Sequence, residues 1–299
     1  MNAVDPKLVE HLRRMWSLLS VPVRPSAEGL RVYAEGLGTG RRVLVLGTTP
    51  ELIDLAVERK SSRIVSMERN PATILALRQF AHRPWDGVEL RCADWLEADS
   101  RLEGAFDCIA CDGGLLFLDF PGLWERLLAN VRRYLAPGGE FIAKMTSLPE
   151  PGGSVSSENA YAERVDALLD AHDRLRAAYP ADARAHFIGL MSQLRVLTFL
   201  GATQDSGAFD TALLVRRTDQ LASAMLARHP ELEDGEVIRA ALVHLARSRA
   251  DGVDTVAGAT KEQARALFRR CGFRYTATPL EDPPLPGGNY MIRAEAEAV

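Results

Sequence analysis

The stretch RVLVLGTTPE, residues 42–51, decides the fold of this chain. Its first five residues form a short apolar run with β-branched side chains, which is typical of a strand buried in a parallel sheet. Gly47 ends the run, and Thr49 followed by Pro50 predicts the N-cap and the first position of a helix. A second apolar run follows that helix and ends on Glu68. The stretch therefore predicts a strand–helix–strand unit with a glycine turn.

Glu68 lies 21 residues after Gly47, at the tip of the second predicted strand. In nucleotide-binding units of this kind, an acidic residue about 20 residues after the glycine turn binds the ribose hydroxyls. A carboxylate suits this role because it can accept a hydrogen bond from each of two vicinal hydroxyls. Many α/β domains contain the same unit without a nucleotide, so the remaining strand ends have to support the assignment.

Two further predicted strands end on residues that suit a nucleoside. Asp94 and Trp95 follow the third strand, where the carboxylate can accept from an adenine amino group and the indole can stack on the ring. Asp112 and Gly113 follow the fourth strand, where glycine lets the backbone approach a ligand closely. Strands and helices alternate five times, which predicts a doubly wound parallel sheet with ligands beyond its carboxyl ends.

The sequence on either side of this core predicts three further segments. Residues 1–41 form an N-terminal helical arm, and residues 42–148 form the α/β core. Residues 149–258 are rich in Ala, Leu and Arg without a convincing strand, so they predict a helical insertion after the fifth strand. Residues 259–299 begin with a capping box and return to the core as a last helix and two strands. The expected fold is a mostly parallel, doubly wound seven-stranded sheet of the Rossmann-like type.

Composition excludes several classes of function. The chain has 299 residues, 47% hydrophobic and 25% charged, and a net charge of -4, which argues against a nucleic-acid partner. The sequence contains neither a long apolar run nor a signal-peptide pattern, so we expect a cytoplasmic protein without a membrane partner. Cys108 and Cys111 are three apart in a predicted strand and therefore face opposite sides, so no metal site is expected.

The series of motifs resembles the class I S-adenosylmethionine (SAM)-dependent methyltransferases. It comprises the glycine turn, the acid after strand two, Ala-Asp-Trp after strand three, Asp-Gly after strand four and Leu-Ala-Pro-Gly-Gly before strand five. The match covers about residues 42–145, and residues 260–294 supply the expected last helix and hairpin. The turn Gly-Thr-Thr-Pro-Glu looks like a bacterial subgroup with a Gly-x-Thr-Pro-Glu loop, to which no substrate is attached.

The resemblance implies SAM as the cofactor, S-adenosylhomocysteine (SAH) as the product and a small-molecule acceptor, with a role in secondary metabolism. The predicted cofactor-binding residues are Arg24, Ser26, Gly47, Thr48, Thr49, Glu68, Arg69, Asp94, Trp95, Asp112 and Gly113. The chain departs from the family at Val45, where most members carry an acid. It also departs at Thr49 and Glu51 in the loop, where most members carry glycines.

Because of that departure, another group has to hold the methionine end of SAM. Thr48, Thr49, Asp112 and the N-terminal arm are the candidates for its amino group. Arg24 is the candidate for its carboxylate, because a guanidinium pairs bidentately with one. A surface arginine after a proline break is an equally good interpretation of Arg24.

For catalysis, His186 is the predicted general base, although a partly exposed helical histidine would look the same. Trp16, Tyr33 and Phe117 are predicted to face the sulfonium or an aromatic acceptor, unless they serve packing. Three alternatives stay open: a SAM enzyme that uses the aminobutyrate arm and releases methylthioadenosine, a nicotinamide-dependent oxidoreductase, and a non-catalytic SAM-binding protein. The oxidoreductase is disfavoured because Gly-x-Gly-x-x-Gly is missing after strand one. A homodimer is among the expected assemblies.

Overall fold

A computed structural model describes residues 4–18, 24–147, 158–178, 259–281 and 288–297, together with residues 213, 216, 217, 220, 223, 224, 227 and 228. The strands are β1 Arg42–Leu46, β2 Arg63–Glu68, β3 Val88–Cys92, β4 Phe106–Asp112, β5 Leu135–Thr146, β6 Phe273–Pro279 and β7 Asn289–Ala296. The helices are α1 Pro6–Leu18, α2 Ala27–Leu37, α3 Pro50–Glu58, α4 Pro71–Leu77, α5 Gly122–Tyr134, α6 Glu158–Ala178 and α7 Lys261–Arg270.

The strands form one sheet in the order β3-β2-β1-β4-β5-β7-β6. The first five strands pair in parallel and follow the order of a Rossmann sheet. β7 pairs antiparallel with both β5 and β6. The doubly wound, mostly parallel seven-stranded sheet predicted from sequence is confirmed. The winding direction reverses between β1 and β4, which is where ligands of open α/β sheets bind.

Alternating side chains of the strands build a core on each face of the sheet. Val43 and Val45 pack on the side of α2 and α3, whereas Leu44 and Leu46 pack on the side of α5 and α7. The two cysteines of the C-x-x-C motif divide in the same way, with Cys108 in the first cluster and Cys111 in the second. Their predicted orientation is confirmed, and among the described residues no group of His, Cys, Asp and Glu could hold a metal ion.

Helix starts follow the capping residues of the sequence. Ser26 Oγ accepts a hydrogen bond from the Gly29 N–H at 3.1 Å, and Thr260 forms the predicted capping box with Gln263. Thr49 stands at the N-cap of α3 in an extended conformation but makes no side-chain cap bond. The start of α3 is thus set by Pro50 and by the turn itself.

The Ala-Pro-Gly-Gly sequence at residues 136–139 makes a turn within β5, which begins at Leu135. Phe106 is in register with Leu135 and Cys108 with Glu140, so four residues of β5 stand opposite one residue of β4. Gly138 has a φ of +76°, and a Cβ on Gly139 would lie 2.9 Å from the Ala136 carbonyl oxygen. Only glycine fits this tight path.

The N-terminal arm contacts the core on both sides of the switch point. α1 packs against α4, and α2 packs against α3 and β5. Of the predicted helical insertion, α6 is a helix as expected, whereas residues 179–212 and 229–258 lie outside the described residues. Within the part of the chain that the structure describes, no helix is long and apolar enough to cross a membrane. The segment boundaries predicted from sequence stay predictions.

Candidate functional site

Gly47, Glu68 and Asp94 lie at the ends of three adjacent strands, at the carboxyl edge of the sheet. Leu46 is in register with Met67, and Glu68 is in register with Cys92, so the three residues stand at or just beyond the last paired positions. Neighbouring strands lie about 4.8 Å apart. The glycine turn and the two acids therefore line one short edge, and Gly47 has a φ of +96°, which a side chain rarely adopts.

The Met67 carbonyl fixes the geometry of this edge. Its oxygen accepts the Gly47 N–H at 2.8 Å and the indole N–H of Trp95 at 2.7 Å. A Cβ on Gly47 would lie 3.5 Å from the Trp95 ring, and one on Gly114 would lie 2.9 Å from it. The indole is thus held between two glycines by packing and a hydrogen bond, and it anchors the turn to β2.

The Glu68 carboxylate is largely withdrawn from water. Its Oε1 accepts the Asn70 N–H at 2.9 Å. Burial raises the pKa of Glu68 above the ordinary 4.5, the charge of Asp94 raises it further, and the charge of the exposed Arg69 lowers it. A desolvated carboxylate gains when donors such as ribose hydroxyls reach it. Asp94 itself uses Oδ1 to accept the Leu96 N–H at 2.9 Å, which shapes the loop after β3.

The hydroxyl of Thr48 belongs to the interior of the sheet. Thr48 Oγ1 lies 3.5 Å from Ser66 Oγ, and Ser66 donates to the Gly47 carbonyl at 2.9 Å. Thr49 is buried, and its carbonyl accepts the N–H groups of Leu52 and Ile53 in the first turn of α3. The Thr48 hydroxyl thus contacts Ser66 of β2, and the predicted role of Thr48 and Thr49 in holding an amino group stays a prediction.

A buried polar cluster lies next to this edge, under the N-terminal arm. Both oxygens of Asp112 lie 3.1 Å from Lys144 Nζ, and the two side chains are only 2% and 3% exposed. Burial raises the pKa of Asp112, which the ammonium of Lys144 counteracts and the charge of Glu51 reinforces. Asp112 is therefore already neutralised by a partner within the chain. Gly113 follows it in the left-handed conformation, with a φ of +69°.

Tyr33 is part of the same cluster and has a structural role there, while its predicted contact with a substrate stays a prediction. The side chain is fully buried, its hydroxyl donates to the Cys111 carbonyl at 2.9 Å, and it accepts the Lys144 N–H at 3.0 Å. Burial raises the pKa of Tyr33 well above 10, so the hydroxyl keeps its proton. Tyr33 ties the ends of β4 and β5 together.

Arg24 pairs with Glu51 across the switch point. Arg24 Nε donates to Glu51 Oε1 at 2.6 Å, and Nη2 donates to the same oxygen. The guanidinium also lies 5.5 Å from the centre of the Trp16 ring, and the Arg24 carbonyl is 3.4 Å from Lys144 Nζ. The predicted carboxylate-binding arginine is thus present at the site and already holds one carboxylate. Ser26, two residues on, serves as the cap of α2.

Two of the predicted residues have no described side chain. His186, the predicted base, lies outside the described residues. Phe117 ends the 3-10 turn Gly114–Phe117, and only its backbone is described. Sequence reasoning missed Lys144 and Glu51. A lysine inside the apolar run of β5 was the available signal, because lysine is almost never fully buried without a partner.

Similarity to known proteins rests on solved structures. No family model matches the chain, and no curated protein matches it. A complex between a methyltransferase activator and a candidate methyltransferase of Haloferax volcanii matches at 11% identity over 99% of this chain and 100% of that one, with a TM-score of 0.53. A candidate Zn-dependent alcohol dehydrogenase of Rhodobacter sphaeroides matches at 14% identity over 99% and 100%, with a TM-score of 0.54.

A SAM-dependent methyltransferase of Mesorhizobium loti matches at 22% identity over 41% of this chain and 54% of that one. Its TM-score of 0.34 is too low to carry an argument. The two structures reported above with TM-scores over 0.5 have different named activities. Their likeness therefore establishes the fold alone, and the chemistry has to be inferred from the residues of the site. The chain has a Rossmann-like α/β fold.

Proposed function

We propose that this chain binds SAM at the edge formed by Gly47, Glu68 and Asp94 and transfers its methyl group to a small-molecule acceptor. The placement of Glu68 carries the proposal: a desolvated carboxylate stands one strand away from a glycine turn, where the ribose of an adenosine is bound in Rossmann-like sheets. Asp94, one strand further, is the partner for the adenine amino group.

Charge at the start of α3 supports SAM over a dinucleotide. A nicotinamide dinucleotide places its pyrophosphate at the N-terminus of the helix after β1. Here that turn of the helix carries the carboxylate of Glu51, which is 14% exposed and paired with Arg24, so a phosphate would have to compete with it for the guanidinium. Thr49 and Leu52 also stand where the Gly-x-Gly-x-x-Gly pattern needs glycines. A cationic sulfonium with an ammonium group fits this acidic edge better than an anion.

In this reaction the protein mainly has to align the methyl donor with the acceptor, and acid–base chemistry contributes less. Methyl transfer from a sulfonium is an in-line displacement, and positioning alone can lower such a barrier by about 7–11 kcal/mol. His186 remains the proposed base for an acceptor that must lose a proton. An acceptor from secondary metabolism, a cytoplasmic location, a homodimer and the absence of a nucleic-acid partner belong to the same proposal.

Titration calorimetry with SAH and with NAD⁺ tests the proposal. We expect SAH to bind and NAD⁺ not to bind. Glu68→Gln should weaken SAH about tenfold or more, because a hydrogen bond to a charged group contributes about 1.5–3 kcal/mol. Glu97→Gln, an exposed acid after β3, is the matched control and should bind as the native protein does. Binding of NAD⁺ in place of SAH would refute the proposal, and release of methylthioadenosine during turnover would refute methyl transfer.

A further inference from the structure

Two buried polar atoms beside Arg24 have no hydrogen-bond partner among the described residues. They are Glu51 Oε2, an acceptor, and Trp16 Nε1, a donor. Both Nε and Nη2 of Arg24 donate to the other oxygen of Glu51, Oε1. Buried polar groups are normally paired, so two orphans around one guanidinium need an explanation. Leaving either of them unpaired costs free energy that a ligand could recover.

The orphan atoms have the polarity that an α-amino acid requires. An ammonium group donates hydrogen bonds and seeks a carboxylate oxygen, which Glu51 Oε2 offers. A carboxylate accepts hydrogen bonds and seeks donors, which Trp16 Nε1 and the remaining edge of the Arg24 guanidinium offer. The charges of Arg24 and Glu51 are of opposite sign, as are those of a zwitterion.

We infer that Arg24, Glu51 and Trp16 form a subsite for the zwitterionic amino-acid end of SAM, with Glu51 as the partner of the ammonium group. The inference rests on the proposed function and assigns a binding role to Glu51, which stands where most of the resembled family has a glycine. The carboxylate of the ligand then joins Arg24 and the indole N–H of Trp16.

The neighbouring acid cannot take this role equally well. Asp112 has both oxygens on Lys144 Nζ and lies within a cluster that Tyr33 completes. An ammonium group arriving at Asp112 would have to displace an internal cation that is itself 3% exposed. Glu51 keeps one oxygen unpaired within the described part of the chain, so it can gain a donor without losing Arg24.

The subsite also joins the arm to the core. Trp16 lies in α1, which packs on α4, whereas Glu51 lies in α3 directly after the glycine turn. A ligand that spans the two therefore holds the arm over the strand ends. Ligands without the amino-acid end would leave both orphan atoms unpaired and should bind more weakly.

Calorimetry with three ligands tests the assignment: SAH, the SAH analogue that lacks the α-amino group, and methylthioadenosine, which lacks both charged groups. In Glu51→Gln, we expect SAH affinity to fall about tenfold or more and the affinities for the other two to stay unchanged. Trp16→Phe keeps the ring over Arg24 but removes the N–H, so it should weaken SAH and the amine-free analogue alike and spare methylthioadenosine. Glu58→Gln, at the exposed end of the same helix, is the control.

The outcomes separate the subsite from the proposed function. If the native protein binds neither SAH nor methylthioadenosine, the SAM site itself is refuted, and the subsite with it. If the native protein binds both but Glu51→Gln weakens them equally, Glu51 acts through folding and the inference is overturned. Unchanged SAH binding in Glu51→Gln overturns it as well. Methylthioadenosine serves in every variant as the internal measure of an intact adenosine site.

Discussion

Replacing Tyr33 by phenylalanine separates a structural role of this residue from a role in substrate binding. The substitution keeps the ring and removes only the hydroxyl, which bridges the Cys111 carbonyl and the Lys144 N–H in a fully buried position. The hydroxyl also lies 3.4 Å from Asp112 Oδ1. The Tyr33→Phe variant would remove one hydrogen bond from a backbone N–H and one from a backbone carbonyl at the ends of β4 and β5.

The expected cost follows from these contacts. Two hydrogen bonds of about 1 kcal/mol each are lost, and a buried group left unpaired costs about 1–3 kcal/mol. We expect the free energy of unfolding to fall by about 3 kcal/mol, against a typical total of about 5–15 kcal/mol. For a chain of this size, the corresponding fall in the melting temperature is about 5 °C.

Thermal unfolding monitored by circular dichroism measures this fall, and Tyr134→Phe is the matched control. The Tyr134 hydroxyl also joins a backbone N–H and a carbonyl, those of Asp99 and Glu97, but it lies at the end of α5 away from the arm. Both variants should lose stability and keep SAH binding. A Tyr33→Phe protein with native stability and an altered kcat/KM would show that Tyr33 contacts the substrate and that the cluster does not depend on it.

Three further predictions concern charge, thiols and packing. Ionised Glu68 is the form that accepts from hydroxyls, so SAH affinity should decrease as the pH falls through the raised pKa of Glu68; calorimetry of Glu68→Gln over the same pH range should show no such decrease. Burial raises the pKa of Cys111 to about 12, so a thiol reagent should modify the exposed Cys92 first and Cys111 only after unfolding. Gly114→Ala places a methyl group 2.7 Å from Cys111 Sγ and should cost about 1–3 kcal/mol of stability in urea unfolding, whereas Gly122→Ala, with no atom within 4 Å, should be neutral.

The sheet could be predicted because each strand carries a local pattern. The apolar runs at β1 and β2, the caps of α2 and α7, and the Gly47 turn all depend on residues close in sequence. The Pro-Gly-Gly sequence indicates a turn, but its place inside β5, with strand pairing on both sides of it, depends on the neighbouring strand and could not be predicted. The end of α4 at Leu77, followed by a 3-10 turn at Arg78–Phe80, likewise has no local sign.

The residues of the candidate site fall into the same two groups: some follow from a local sequence pattern, and others depend on contacts between distant segments. Glu68 and Asp94 could be located because the ends of parallel strands meet at one edge of a sheet, whatever the surrounding contacts are. The ion pair of Arg24 with Glu51 joins residues on either side of β1, and the clamp of Tyr33 on Lys144 joins the arm to β5. Such contacts depend on the path of the arm over the sheet, which no local pattern determines.

The position of β7 has a consequence for the biosynthesis of this protein. Although β7 is translated after β6, it lies between β5 and β6, and it is the only strand that pairs with β6 in the described sheet. Until residues 289–296 leave the ribosome, the growing chain holds five parallel strands with an open edge at β5. Open edges pair readily with other chains. We therefore expect nascent chains that stall or terminate before Asn289 to be captured by chaperones or to aggregate, since the described sheet is complete only once β7 has been synthesised.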